Sequence, residues 1–261
     1  MQQILIPLLL ICMCAGKQAA AISTSDKIDN NQIARVVGTF SGDINKADTI
    51  IIHKEITNDY RHIIYIDKGH DSQEYKWLVD FQFNEDNRST YEANYEYFKK
   101  EKAASFKKQK SLGLPKHWLP VYRYKNAYYL YAPSDWGNAG RRIVNDSAFV
   151  YWYMDGPYPV PLQSVNKVNT YKCVLSIADH LHNDNDSITT LTLHIIDPIS
   201  KLTIFEFSKA SGNSHYQLYI PVESADKFDM IINYCNNQKQ MEYSFEKVDY
   251  VKLLKDSDNS K

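Results

Sequence analysis

The sequence predicts a mainly β protein, an antiparallel sandwich or barrel-like meander carrying one amphipathic helix near 90–109. Three observations predict it. Short β-branched and aromatic runs recur along the chain, separated by clusters of Asn, Asp, Gly and Ser. A single stretch combines helical spacing with a start signal. Glycine and proline are sparse, at nine each, which argues against collagen-like or linker-rich architectures.

The 261 residues are 44% hydrophobic and 23% charged, with a net charge of -1. That is a globular composition, long enough for one large domain or two small ones. Near-neutral charge supplies no electrostatic case for nucleic acid or for an anionic membrane surface.

The chain opens on an apolar run, 4–11, that extends through Cys12, Met13, Cys14 and Ala15 and closes on Ala19 and Ala21. This pattern predicts a signal peptide over 1–21, cut after Ala21. The apolar core is shorter than the roughly 20 residues that span a bilayer, so no transmembrane helix is expected in the mature chain. Met1, Gln2 and Gln3 lack the usual basic residue. Cys12 or Cys14 offers an alternative, an N-terminal lipid anchor, although Ile11 and Met13 are bulkier than the residues that precede such cysteines. The expected location is exported: periplasm, cell envelope or outside the cell.

Taken in order, 22–31 is a polar start and 33–40 a first strand. Strands follow at 49–56 and 60–67. In 75–83, Tyr75, Trp77, Val79, Phe81 and Phe83 alternate with polar residues, predicting a half-buried strand that Leu78 interrupts. The helix of 90–109 is given a capping box by Ser89 and Glu92. Its later lysines suit the negative end of the helix dipole. Gly113 and Pro115 end the segment.

The stretch 118–161 holds three of the four tryptophans and eight of the twenty tyrosines. Residues 121–131 have the form of a hairpin turning at Lys125-Asn126. A two-residue loop pairs Tyr122 with Tyr129, Arg123 with Tyr128 and Tyr124 with Ala127. Alternation then places Tyr122, Tyr124, Tyr129 and Tyr131 on one face. A second hairpin runs 142–144, Asn145-Asp146, 147–154. Its run from Ala148 is apolar on both faces and predicts a central strand covered on both sides. Between the hairpins lies a loop with Asp135, Trp136 and Asn138. The ring could be a stacking platform for a flat ligand, with Asp135 and Asn138 as hydrogen-bond partners, or a plug over the sheet end.

After Pro161 the chain divides into an N-terminal β-rich region, 22–162, and a C-terminal six-strand region, 163–255, either joined as one domain or separate. The connector is placed at 163–169. The six strands fall at 171–178, 188–196, 202–208, 215–220, 228–234 and 241–248, and 256–261 reads as a disordered tail.

Once a signal is removed, Cys173 and Cys235 remain, an even pair that an oxidising compartment would bridge if their Cβ atoms face each other. The alternative is two reduced, apolar thiols. His180 and His182 form a His-x-His pair that presents both rings on one face of an extended segment, a weak metal signal. Asp80, Glu92, Asp135, Asp155 and Glu206 are available acids, but no spacing joins two of them. No phosphate loop, nucleophile elbow, zinc-protease motif or dinucleotide fingerprint is present. No cofactor or catalytic residue is assigned. The expectation is an exported, non-enzymatic protein binding carbohydrate or a cell-envelope protein through Trp136, Asp135, Asn138, Tyr122, Tyr129 and Tyr131. Two alternatives stand beside it: a secreted, glycosidase-like hydrolase with carboxylates assembled by the fold, and a structural component of the envelope.

Overall fold

A computed structural model describes residues 49–102, 105–110, 113–135, 139–153, 155–179, 187–236 and 242–259. The protein is mainly β, built on a closed eight-stranded barrel and a five-stranded mixed sheet. The strands are β1 (Thr49–Ile56), β2 (Arg61–Asp67), β3 (His117–Pro120), β4 (Tyr122–Tyr124), β5 (Ala127–Ala132), β6 (Arg142–Val144) and β7 (Ala148–Tyr153). They continue as β8 (Gly156–Lys167), β9 (Lys172–Ile177), β10 (Ile188–Asp197), β11 (Leu202–Lys209), β12 (Ser214–Pro221) and β13 (Met230–Cys235). Among the described residues three α-helices accompany them: α1 (Gln73–Val79), α2 (Glu85–Glu101) and α3 (Tyr250–Asn259). No helix among the described residues is long and apolar enough to cross a membrane.

The barrel is a meander. Strands β6 to β12 follow one another antiparallel, and β3 closes the ring between β12 and β6. The other sheet has the order β1-β2-β13-β5-β4, with β13 and β5 parallel. Each barrel strand alternates between an inward and an outward row. Trp118, Phe149, Phe205 and Tyr219 fill the middle of the interior, with ring centroids 5.0 Å apart for Trp118–Phe205 and 4.3 Å for Phe205–Tyr219. The outward row, including Val150, Trp152, Ile204 and Leu218, packs with Ile63, Leu130 and Met230 of the mixed sheet. Full burial of a side chain of this size contributes roughly 1.5–3 kcal/mol, so the two apolar layers carry most of the fold.

Both predicted hairpins form. Lys125 and Asn126 have φ of 45° and 64°, the positive values a type I′ turn needs. The register is Tyr122↔Tyr129, Arg123↔Tyr128, Tyr124↔Ala127. In the second hairpin Arg142 pairs with Tyr151, and β7 is buried from Ala148 to Trp152 between β6 and β8.

Other expectations are corrected. Residues 75–83 do not form a strand: α1 occupies their first half, capped by Ser72, whose Oγ accepts the Tyr75 N–H at 3.2 Å. Leu78, the residue that broke the alternation, is the most deeply buried of α1 at 1% exposure. The main helix begins at Glu85 rather than Thr90, because Asn84 caps it by accepting the Asn87 N–H at 2.8 Å. It ends at Glu101, and Phe106 folds back onto Tyr95 at 4.3 Å between ring centroids. The segment 163–169 is no connector through most of its length, since β8 runs on to Lys167 and pairs with β9. Pro157, Pro159 and Pro161 sit inside this strand without breaking its ladder. Their nitrogens lie on the side away from β7, and β9 pairing starts only at Leu162. Residues 242–249 are not a strand but an irregular cover with one bridge, Glu246 to Arg123. The polar tail is helical up to Asn259, because Asp249 accepts the Lys252 N–H and Leu253 and Leu254 pack on the core. Cys173 and Cys235 are free thiols, one in the barrel and one in the mixed sheet.

Helix α2 lies against β8 where the chain turns out of β7. Gly156 has φ of 122°, and a Cβ there would sit 2.6 Å from Thr90 Cγ2. Gly212, at φ 85°, has open space around it. Gly156→Ala should therefore lower unfolding free energy by about 2–4 kcal/mol in urea melts, and Gly212→Ala by about 1–2 kcal/mol.

Candidate functional site

Cavities open at both ends of the barrel interior. One, of about 280 Å³, lies where the β8–β9 and β10–β11 turns meet, and Trp118, Cys173, Leu193 and Ile195 line it. Burial pushes the Cys173 thiol up, which suits a structural rather than a reactive cysteine. The other, of about 250 Å³, lies at the opposite mouth and is lined by Arg142, Tyr151, Tyr153, Phe207, His215 and Gln217 among others. This second cavity has the more distinctive chemistry.

Arg142 is inward because β6 alternates. Its neighbour Arg141 therefore leaves on the outside. There the Arg141 guanidinium lies 4.0 Å from the Trp152 ring centre and 4.2 Å from that of Trp77, and Nη1 donates to Asp80 O at 2.6 Å. Arg141 thus pins the end of α1 to the barrel wall. Burial lowers its pKa to about 10, with Asp80 opposing the shift, so it stays charged at neutral pH.

The Arg142 guanidinium stands 5.2 Å from the Tyr151 ring centre, 5.9 Å from that of Tyr153 and 6.0 Å from that of Tyr219. Tyr151 and Tyr153 stack with planes 3° apart. Nη1 of Arg142 donates to Arg141 O at 2.8 Å, while the buried Nε has no partner among the described residues. No described carboxylate forms an ion pair with it. Burial, joined by the negative charge of Asp179, pushes the Tyr151 and Tyr153 hydroxyls up against the opposing pull of Arg142, so both rings are neutral platforms. Tyr219 donates to Gln217 Oε1 at 2.9 Å, which orients the amide with its NH2 at the other end. Phe207 and His215 stack at 4.6 Å and form another wall. An arginine fork over aromatic rings binds carboxylates or phosphates through paired charge-assisted hydrogen bonds.

The predicted tyrosine face has a different environment. Tyr243 and Phe245 roof it: Phe245 stacks on Tyr122 at 4.6 Å, and Tyr243 meets Tyr124 edge-on at 5.9 Å. Tyr129 packs edge-on to Tyr124 at 6.0 Å. Tyr131 is buried, donates to Glu242 Oε2 at 2.5 Å and accepts from Asn233 Nδ2 at 3.0 Å. Asp135 is half-buried, and its backbone N–H donates to Glu242 Oε1 at 3.0 Å. Trp136, Asn138, His180 and His182 lie outside the described residues. Glu206 sits on the outer barrel face, bonded to His194 and Tyr216, and Asp155 accepts from the Tyr158 hydroxyl. The spacing of Arg142 and Tyr151 across the second hairpin was the available signal for the barrel pocket. That its face closes into an interior was not.

Comparison with protein-family models, curated proteins and solved structures returned no match.

Glu242 fastens both the tyrosine cluster and the start of the 133–135 loop. Burial pushes its carboxyl up, but donors from Tyr131, Asp135 and Ser134 outweigh this and hold it below its ordinary 4.5. A lowered folded-state pKa gives stability that is fully present above 4.5 and is lost as pH falls through the folded value. Urea midpoints of wild type and Glu242→Gln should therefore differ most at neutral pH and converge in acid.

Proposed function

We propose that this chain is an exported, non-enzymatic binding protein whose barrel takes a carboxylate-bearing ring, first an acidic sugar of a cell envelope, at Arg142. The export half rests on the apolar run 4–11 and the small residues Ala19 and Ala21. The binding half rests on one observation: a half-buried guanidinium held in a tyrosine cage, with Nε unpartnered among the described residues, beside a cavity of about 250 Å³. Eight strands enclose an interior that side chains can fill or that can hold one small ligand, and this interior does the first in its middle and leaves room at its ends. A bound carboxylate would complete the hydrogen bonding of Arg142, and the flat faces of Tyr151 and Tyr153 suit a sugar ring. The groups around the cavity, Arg142, Lys209, His215 and Gln217, supply donors for an anion.

Calorimetric titration with galacturonate or glucuronate, against galactose or glucose, tests this reading. Binding of the acids alone, weakened tenfold or more in Arg142→Met with an unchanged circular-dichroism spectrum, is the expected result. A hydrogen bond to a charged group contributes about 1.5–3 kcal/mol, which corresponds to that factor. Equal affinity for neutral sugars, or an unaffected Arg142→Met, would refute it.

A further inference from the structure

The mixed sheet carries a second group of chemistry-bearing residues that the barrel pocket does not use. His53 and Glu55 on β1 and His62 on β2 each bring one ligand atom within 4.8 Å of the others. Their meeting depends on a β-bulge. Ile51 pairs with Tyr65, but His53 pairs with Ile64, so one extra residue, Ile52, lies between them. The bulge turns His53 and Glu55 onto the face that His62 and Ile64 share. Glu55 is the direct register partner of His62, and the two imidazoles lie 5.1 Å apart by ring centroid.

The supporting contacts are those a metal ligand needs. His62 Nε2 lies 2.7 Å from Asn233 Oδ1. The amide of Asn233 is oriented by its NH2, which donates to the Tyr131 hydroxyl at 3.0 Å and to Glu242 at 3.3 Å. Oδ1 is therefore the acceptor, the His62 proton is on Nε2, and Nδ1 carries the lone pair that binds a cation. Zinc binds imidazole nitrogen and carboxylate oxygen at about 2.0–2.2 Å, which places tetrahedral donors roughly 3.3–3.5 Å apart. Exposed His53 and Glu55 can close that remaining distance by changing rotamer.

We infer that His53, Glu55 and His62 form a surface zinc site with three protein ligands and a fourth position for water. It is independent of the barrel pocket. Metal there clips the edge strand β1 to β2. Cys235 pairs with His62 on its other flank, roughly 10 Å from Glu55 at two strand spacings, and stands outside the coordination sphere.

The test is zinc titration of the full-length protein against a chromophoric chelator, with visible spectra of the cobalt(II) form as a second readout. The expected stoichiometry is one zinc per chain, with the intense bands of four-coordinate cobalt. His53→Ala and Glu55→Gln should each weaken binding at least tenfold, and the double variant should abolish the cobalt bands. Cys235→Ser should retain full affinity, as should a variant with both His180 and His182 changed to Ala. Zinc should raise the melting temperature of the wild type and not that of His53→Ala/Glu55→Gln. The proposal is overturned if the wild type binds no zinc, or if the double variant binds as well as the wild type. Loss of the metal only in the His180/His182 variant would likewise overturn it. Both ligand changes fall at exposed positions of an edge strand, and an unchanged apo melting temperature separates lost ligation from lost folding.

Discussion

The molecule depends on the closure made by β3. This four-residue strand bridges β12 and β6, and its pairing with β6 involves only His117↔Ile143 and Trp118↔Arg142. Without it, β6 to β12 would be an open sheet with two edges. With it, every inward side chain acquires an enclosed environment, and Trp118 plugs the middle with its Nε1 donating to Pro115 O at 2.8 Å. Closure also defines which arginine is inside. Trp118, Arg142 and Tyr151 are register partners across three adjacent strands, so they form one inward row.

Two adjacent arginines then do opposite work through alternation alone. Arg141 has its carbonyl acceptors on α1 and its aromatic cage on the outer face, and it ties the helical layer to the barrel. Arg142 has a comparable cage and fewer acceptors, and it borders a cavity. A half-buried cation short of acceptors is costly to maintain, and an anionic ligand offsets that cost. Nε lacks a partner among the described residues in both arginines, so the cavity beside Arg142 and the Asp80 carbonyl held by Arg141 are what separate the binding-suited arginine from the structural one.

Local signals made much of this legible. The Lys125-Asn126 turn specified the first hairpin to the residue, because a hairpin's register follows from its loop length, whereas the second forms with Val144 opposite Phe149, two residues beyond the pairing that a two-residue Asn145-Asp146 loop gives. Longer-range features were not readable. Tyr243 and Phe245 roof the tyrosine face from more than a hundred residues away, and nothing in the spacing of 241–248 distinguishes a covering segment from a strand. Alternation in 75–83 imitated a strand because Trp77 and Phe81 bury in different ways, one at the end of a helix turn and one in the extended chain after it. The metal group escaped notice because a bulge moves His53 across the strand, and a period of two cannot reveal an extra residue.

Guanidinium resonances of the two arginines, followed by nuclear magnetic resonance as an acidic monosaccharide is added, separate their roles. The Nε–H of Arg142 should shift progressively and slow its exchange with water, while that of Arg141 stays where it was. Movement of the Arg141 signal, or of neither, would contradict an inward, ligand-ready Arg142.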